Sequence, residues 1–226
     1  MKILHTADWH LGQTFYEYDR REEHFHFLEW LKQQIKQHEI DVLLIAGDVF
    51  DSPNPSAESQ RVYYRFLREV TSENPSLQIV IIAGNHDSAA RLEAPNPLLE
   101  DMNIIVRGTV RRNAEGDIDL QHFIVPLYTE GKVTAYCLAV PYLRQGDYPS
   151  AENYSKGVQQ LYEQLFNKVK EKGIPVVAMG HLQATGSEIS EDDRSERTVI
   201  GGLECVSPDA FNEAITYTAL GHLHRS

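Results

Sequence analysis

Five places along the chain carry side chains able to bind a metal. They are Asp8-Trp9-His10, Gly47-Asp48, Gly84-Asn85-His86-Asp87, Gly180-His181 and Gly221-His222-Leu223-His224. Together they offer the carboxylates of Asp8 and Asp48, the imidazoles of His10, His181, His222 and His224, and the amide oxygen of Asn85. Seven ligands are too many for one tetrahedral zinc. They suit two metals that share a bridging carboxylate. Mixed oxygen and nitrogen ligation fits manganese, iron or zinc better than calcium or magnesium, and the set contains no thiolate to favour a soft metal. Metals held ~3.5–4 Å apart can generate hydroxide and clamp the attacking and leaving oxygens of a phosphoryl displacement. The chemistry expected is hydrolysis of a phosphate ester.

His86 is left over from the ligand set. It adjoins Asn85, where a general acid for the leaving oxygen belongs, since imidazole donates a proton near neutral pH. The plainer alternative is a hydrogen bonder to substrate or to a carboxylate. Asp87 either orients His86 or caps the helix that follows. Asp51, three residues after Asp48, either touches substrate or a metal-bound water, or caps a loop.

Each motif alone is weak. Gly-Asp is a common turn, and Asn-His-Asp suits a loop that makes Asx-turn hydrogen bonds. What carries weight is a shared position. Each motif follows a short apolar run, at residues 2–6, 42–46, 77–83, 175–179 and 215–220. Such continuous runs suit strands buried on both faces. Ligand sites of open α/β sheets lie beyond the carboxyl ends of the strands, and glycine there allows a tight turn close to a ligand.

Helical patterns separate the runs. His24, Leu28, Leu31 and Ile35 fall at helical spacing within 20–38. Val62, Phe66 and Val70 do so in a stretch that Ser56 can cap. Val158, Leu161, Leu165 and Val169 give the clearest helix, stopped by Gly173 and Pro175. Alternating strands and helices argue for an α/β layered fold. Residues 106–140 differ: a turn at Glu115-Gly116-Asp117 and strands at 123–125 and 135–140 read as added antiparallel sheet. The charge-dense stretch 188–197 reads as a solvated loop. No linker divides the chain. His5, His24, His26, His38 and His122 sit away from strand ends and read as structural or surface residues.

Composition bounds the partners. The 226 residues carry a formal net charge of -12, with 42% hydrophobic and 24% charged residues. That is an ordinary globular balance. Its acidity leans mildly against nucleic acid, because phosphate contacts need Lys and Arg, although acidic metal ligands account for part of it. Cys137 and Cys205 read as reduced thiols rather than a disulfide. With no membrane-length apolar run and no signal pattern at the N-terminus, a cytoplasmic location is the default.

The five motifs resemble those of the calcineurin-like metallophosphoesterases. Longer matches, His5-Thr6-Ala7-Asp8-Trp9-His10-Leu11-Gly12, Gly47-Asp48-Val49-Phe50-Asp51 and Gly84-Asn85-His86-Asp87-Ser88, resemble the SbcD-type nuclease subunits within that superfamily. Pro141-Tyr142-Leu143-Arg144 is a further similar segment. The resemblance implies a four-layer α/β fold, a central β-sandwich of two mixed sheets flanked by helices. It implies one metal on Asp8, His10 and His224, a second on Asn85, His181 and His222, Asp48 bridging, and His86 as the acid. It implies two divalent ions, manganese by preference. The implied activity is double-strand exonuclease and single-strand endonuclease action on DNA ends, in repair and recombination, with a coiled-coil SbcC-type ATPase as partner. A homodimer through helices is implied too, with Tyr63, Phe66, Leu67, Leu98 and Leu99 as candidate contacts or, equally, core. Residues 1–226 read as one nuclease domain that stops after the last metal motif, without the DNA-capping and ATPase-binding regions. A phosphatase or cyclic-nucleotide-type phosphodiesterase of the same superfamily is the alternative activity. A scaffold that uses metals only for folding is the alternative from outside enzymology.

Overall fold

In the computed structural model, which describes residues 1–16, 18–184 and 205–222, the aliphatic runs become strands because both of their faces are covered. The order is β1 (Ile3–Thr6), β2 (Thr14–Phe15), β3 (Tyr18–Asp19), α1 (Arg21–His38), β4 (Val42–Ala46), α2 (Ala57–Glu73), β5 (Gln78–Ile82), α3 (Ala89–Glu93), α4 (Asn96–Leu99), β6 (Ile104–Arg107), α5 (Leu120–Phe123), β7 (Ile124–Thr129), β8 (Lys132–Ala139), α6 (Tyr154–Val169), β9 (Val176–His181) and β10 (Tyr217–Gly221). One four-stranded sheet has the order β1-β4-β5-β6 and another β10-β9-β8-β7. Among the described residues the first is parallel throughout, where a mixed sheet is expected. The second is mixed, with β7 antiparallel to β8 and the other pairs parallel.

Alternation along each strand sorts the core into three layers. On β4, Val42, Leu44 and Ala46 face the second sheet, where they meet Cys137, Ala139, Val177 and Met179. Leu43 and Ile45 face the other way, onto Leu28, Leu31 and Ile35 of α1 and Phe66, Leu67 and Val70 of α2. On β9, Val176 and Ala178 pack outward on Val158, Leu161 and Leu165 of α6. Helices, sheet, sheet, helix: the architecture is the four-layer α/β sandwich.

Local signals explain the helix ends. Ser56 Oγ accepts the Ser59 N–H at 3.0 Å and caps α2, a contact worth ~1 kcal/mol. Asn153 does the same for α6 through the Lys156 N–H at 2.9 Å. A 3-10 turn then runs to Gly173, which takes the left-handed conformation at φ 66°.

The extent of the antiparallel region needs correction, and the alternative left open for the apolar side chains of α2 is decided by burial. Residues 104–107 form a parallel edge strand of the first sheet, not the start of the antiparallel region. Their run is only four residues long, too short to distinguish from loop by pattern. Tyr63, Phe66 and Leu67 are buried against the first sheet, so they are core and not a face for a second copy. Leu99 is buried as well, while Leu98 is exposed. The stretch at 188–197 lies outside the described residues.

Of the remaining histidines, His5 and His122 fall where a structural role would put them, and His26 and His38 are exposed on α1. His5 Nδ1 lies 3.1 Å from the Tyr217 hydroxyl, joining the edge strands β1 and β10. His122 is buried with Nε2 3.7 Å from Glu93. Cys137 is buried and Cys205 half-buried, both as free thiols. Among the described residues no helix is long and apolar enough to cross a membrane.

Candidate metal centre

The carboxyl ends of β1, β4 and β5 in one sheet and of β9 and β10 in the other point to one edge of the sandwich. The chain after β1 is zipped onto the chain after β4: Asp8 N–H donates to the Gly47 carbonyl (3.0 Å), His10 N–H to Asp48 (3.0 Å) and Leu11 N–H to Val49 (2.9 Å). This holds Asp8, His10 and Asp48 at positive φ, 55°, 46° and 49°, and His222 adopts 95°. Non-glycine residues in that region cost ~1–3 kcal/mol each and concentrate at functional sites. Two glycines make room. A side chain on Gly47 (φ 90°) would collide with the His181 ring, and one on Gly84 with the Asp48 carboxylate.

Asp48 is the centre of the arrangement. It is 1% exposed. Its Oδ1 accepts the His86 N–H at 2.9 Å, and its Oδ2 lies 3.2 Å from His181 Nε2 and 3.8 Å from His10 Nε2. Burial works to raise its pKa; the His181 bond and charge, the His86 N–H and His10 overcome this and hold the carboxyl down at about 2. Two groups of potential ligand atoms, each within 4.8 Å of one another, share this residue: His10, Asp48 and His86, and Asp48, His181 and His222. Asn85 joins the second group, its Oδ1 3.0 Å from His181 Nε2 and 2.9 Å from His222 Nδ1.

The donor chemistry fits a cation. The Ala46 carbonyl lies 2.8 Å from His181 Nδ1, and a carbonyl only accepts, so Nδ1 carries the proton. In the neutral ring Nε2 then presents a lone pair to the lone pairs of Asn85 Oδ1 and Asp48 Oδ2. Buried acceptors facing one another are costly unless a positive charge stands between them. The His181 pKa reflects this: burial lowers it, and Asp48 and Asp8 more than reverse the effect. The same opposition raises the pKa of His10, where burial is outweighed by Asp51, Asp48 and Asp8.

Asp8 is placed differently from the other carboxylate. It accepts the His222 backbone N–H at 3.0 and 3.2 Å through its two oxygens, so it ties the end of β10 to that of β1. His224 lies outside the described residues. His86, expected as an acid, stands in the cluster with His10 and Asp48, its ring 4.8 Å from that of His10 and nearly perpendicular to it.

The Asp87 carboxylate is engaged by the backbone: it accepts the N–H groups of Val49 (3.2 Å), Phe50 (2.9 Å) and Gly84 (2.9 Å). It therefore clamps the loops after β4 and β5 together. The partner of the His86 ring is Asp51: its backbone carbonyl lies 2.9 Å from His86 Nδ1, which must carry the proton. The Asp51 carboxylate lies 3.2 Å from His10 Nδ1. One residue thus stands against Nδ1 of two histidines, fixing the His86 tautomer through its carbonyl and lying beside His10 with its carboxylate, as outer partners of metal-binding imidazoles commonly do. Nothing in residue type reveals the backbone half of that role. Tyr142, within 6.2 and 6.4 Å of the His181 and His222 rings, was visible in sequence only as part of the Pro141-Tyr142-Leu143-Arg144 segment.

Known proteins resemble this chain along its length. The SbcD component of the SbcCD nuclease from Rhodobacter capsulatus is 42% identical over 237 residues, covering 100% of this chain and 58% of that protein. The SbcD component from Escherichia coli K12 is 32% identical over 240 residues, covering 100% and 56%, and that from Bacillus subtilis 30% over 242, covering 100% and 57%. The chain spans little more than half the length of these curated relatives. A family model for calcineurin-like phosphoesterases matches residues 1–226. With a carboxylate shared between two ligand groups at the edge of a four-layer sandwich, and that match over its whole length, the chain belongs to the calcineurin-like phosphoesterase family.

Proposed function

We propose that this chain is the nuclease domain of an SbcD-type protein, a two-metal phosphodiesterase that hydrolyses DNA at its ends. The observation that supports this most is Asp48, buried and shared by two ligand groups. Asn85, His181 and His222 would hold one divalent ion, His10 and Asp8 with His224 the other, and Asp48 both. Such ions supply Lewis acidity and a nucleophile at neutral pH; manganese suits this mixed ligand set.

The chain's own groups would do the rest. His86, protonated on both nitrogens, would give its Nε2 proton to the leaving sugar oxygen while Nδ1–H stays on the Asp51 carbonyl. The strained backbone at Asp8, His10, Asp48 and His222, fixed by the zipper between the two loops, would keep the ligands in place before substrate arrives. Asp51 would position both imidazoles and Asp87 the two loops.

The relatives are components of a nuclease, which supports DNA as substrate and an SbcC-type protein, by resemblance a coiled-coil ATPase, as partner. Residues 1–226 would act as one phosphoesterase domain, in the cytoplasm with the DNA it processes. A homodimer would have to use residues other than Tyr63, Phe66, Leu67 and Leu99; Leu98 remains of that set. The net charge of -12 favours a second reading, a phosphatase acting on small esters. Comparing linear duplex DNA with a generic phosphomonoester, both with manganese, separates them. DNA hydrolysis is expected, and turnover of the monoester alone would sink the nuclease reading.

A further inference from the structure

The β2–β3 ribbon carries aromatic side chains that the fold does not use. Phe15, Tyr16 and Tyr18 are 64%, 91% and 68% exposed. Phe15 and Tyr18 are directly opposed across the ribbon, so their rings share one face. Tyr16 stands at the tip, its ring 4.7 Å from Phe15 and edge-on. Burying none of these rings leaves the hairpin without a core of its own, and contiguous exposed apolar surface marks an interaction site.

The ribbon is tied to the metal centre. Gln13 N–H donates to the His10 carbonyl at 3.0 Å, and Arg20 Nη1 reaches Gln13 Oε1 at 2.5 Å, closing the base of the hairpin. Five residues from His10 to Phe15 span at most ~18 Å, so the aromatics stand within a few nucleotides of the cluster.

We propose that Phe15, Tyr16 and Tyr18 form a stacking platform for the unpaired bases of a single-stranded DNA segment leading into the metal centre. The proposal rests on the nuclease reading and narrows its substrate to an end with unstacked bases. Position argues for this occupant: under the nuclease reading a strand end must reach the metal centre, the ribbon follows His10 by a few residues, and stacking on a ring tolerates any base. Against a chain of net charge -12, the base stack has to supply binding that phosphate contacts do not. The ribbon itself offers little to a phosphate, since Arg21 is paired with Asp19 at 2.8 Å and Arg20 with Glu23 at 2.7 Å.

The test measures binding by fluorescence anisotropy on the full chain without added metal, using three labelled probes: oligo(dT), an abasic strand of equal length, and a blunt duplex. Oligo(dT) should bind tighter than the abasic strand. Phe15→Ala, Tyr16→Ala and Tyr18→Ala should each weaken oligo(dT) about 5- to 150-fold, the effect of losing one base stack. The abasic strand and the duplex should change less than about twofold, and Tyr16→Trp should restore oligo(dT) binding. Manganese-dependent hydrolysis of bis(p-nitrophenyl) phosphate should stay at the parent rate in all variants. Alanine variants that bind oligo(dT) like the parent overturn the platform, as do variants that lose oligo(dT) and the abasic strand equally. A parent that hydrolyses the small diester but binds no DNA probe defeats the nuclease reading, and the platform with it.

Discussion

Replacing Asp87 with alanine tests whether this residue holds the loops of the site. Its carboxylate is 2% exposed and accepts three backbone N–H groups, from Val49, Phe50 and Gly84. Those residues are themselves buried, so the substitution strands three donors away from water. An unsatisfied buried donor costs ~1–3 kcal/mol, for a simple sum of about 3–9 kcal/mol. Two effects draw the result to the low end. Burying the carboxylate is itself unfavourable, since burial and then Asp48 outweigh the three N–H bonds and raise its pKa. Water entering the vacated space also recovers part of the loss. The expected cost is about 3 kcal/mol, a large share of the ~5–15 kcal/mol that holds a domain folded. Asp87→Asn keeps an acceptor oxygen and should cost about half as much. Urea unfolding monitored by circular dichroism measures both, and manganese binding should weaken in Asp87→Ala because the loops carrying Asp48 and Asn85 separate. If Asp87→Ala unfolds within about 1 kcal/mol of the parent while activity alone is lost, the clamp is wrong and a direct role beside His86 replaces it.

His86→Ala should lower DNA hydrolysis by ~10²–10⁴-fold with bound metal unchanged by elemental analysis; loss of metal would make His86 a ligand of the group it shares with His10 and Asp48. Asp51→Ala removes the carboxylate beside His10 but keeps the carbonyl beside His86, so manganese affinity by calorimetry should drop ~10–100-fold. An unchanged affinity would refute the positioning role. The Tyr63 hydroxyl is buried without a hydrogen-bond partner among the described residues; Tyr63→Phe should therefore be neutral or stabilising in urea, whereas Tyr63→Ala should cost ~3–5 kcal/mol. A Tyr63→Phe loss above about 1 kcal/mol would mean that the hydroxyl has a partner.

The sequence disclosed the parts of this molecule that repeat a strong local pattern. β4 was legible to the residue because a strand covered on both faces is continuously aliphatic, and α6 because its apolar stripe ends in glycine and proline. β6 and α5 were not, each being four residues long and below any period that can be counted. The spacing of Tyr63, Phe66 and Leu67 marked one helix face, yet spacing cannot say whether that face meets a sheet or a second copy; the first sheet claims it. At the site, residue types at strand ends named Asp48, Asn85, His181 and His222 as companions, and the structure brings them together. Asp51 and Asp87 were visible as candidates, but their partners were not: the Asp51 carbonyl meets His86 and the Asp87 carboxylate meets three backbone N–H groups, and carbonyls and N–H groups belong to every residue.

The shared position of Asp48 is the heart of this account, and manganese stoichiometry tests it most directly. Titration of the purified chain followed by electron paramagnetic resonance should give two manganese ions per chain with the spectrum of a coupled pair, and Asp48→Asn should abolish the coupling. A single uncoupled ion at saturation, or a coupled pair that survives Asp48→Asn, would contradict it.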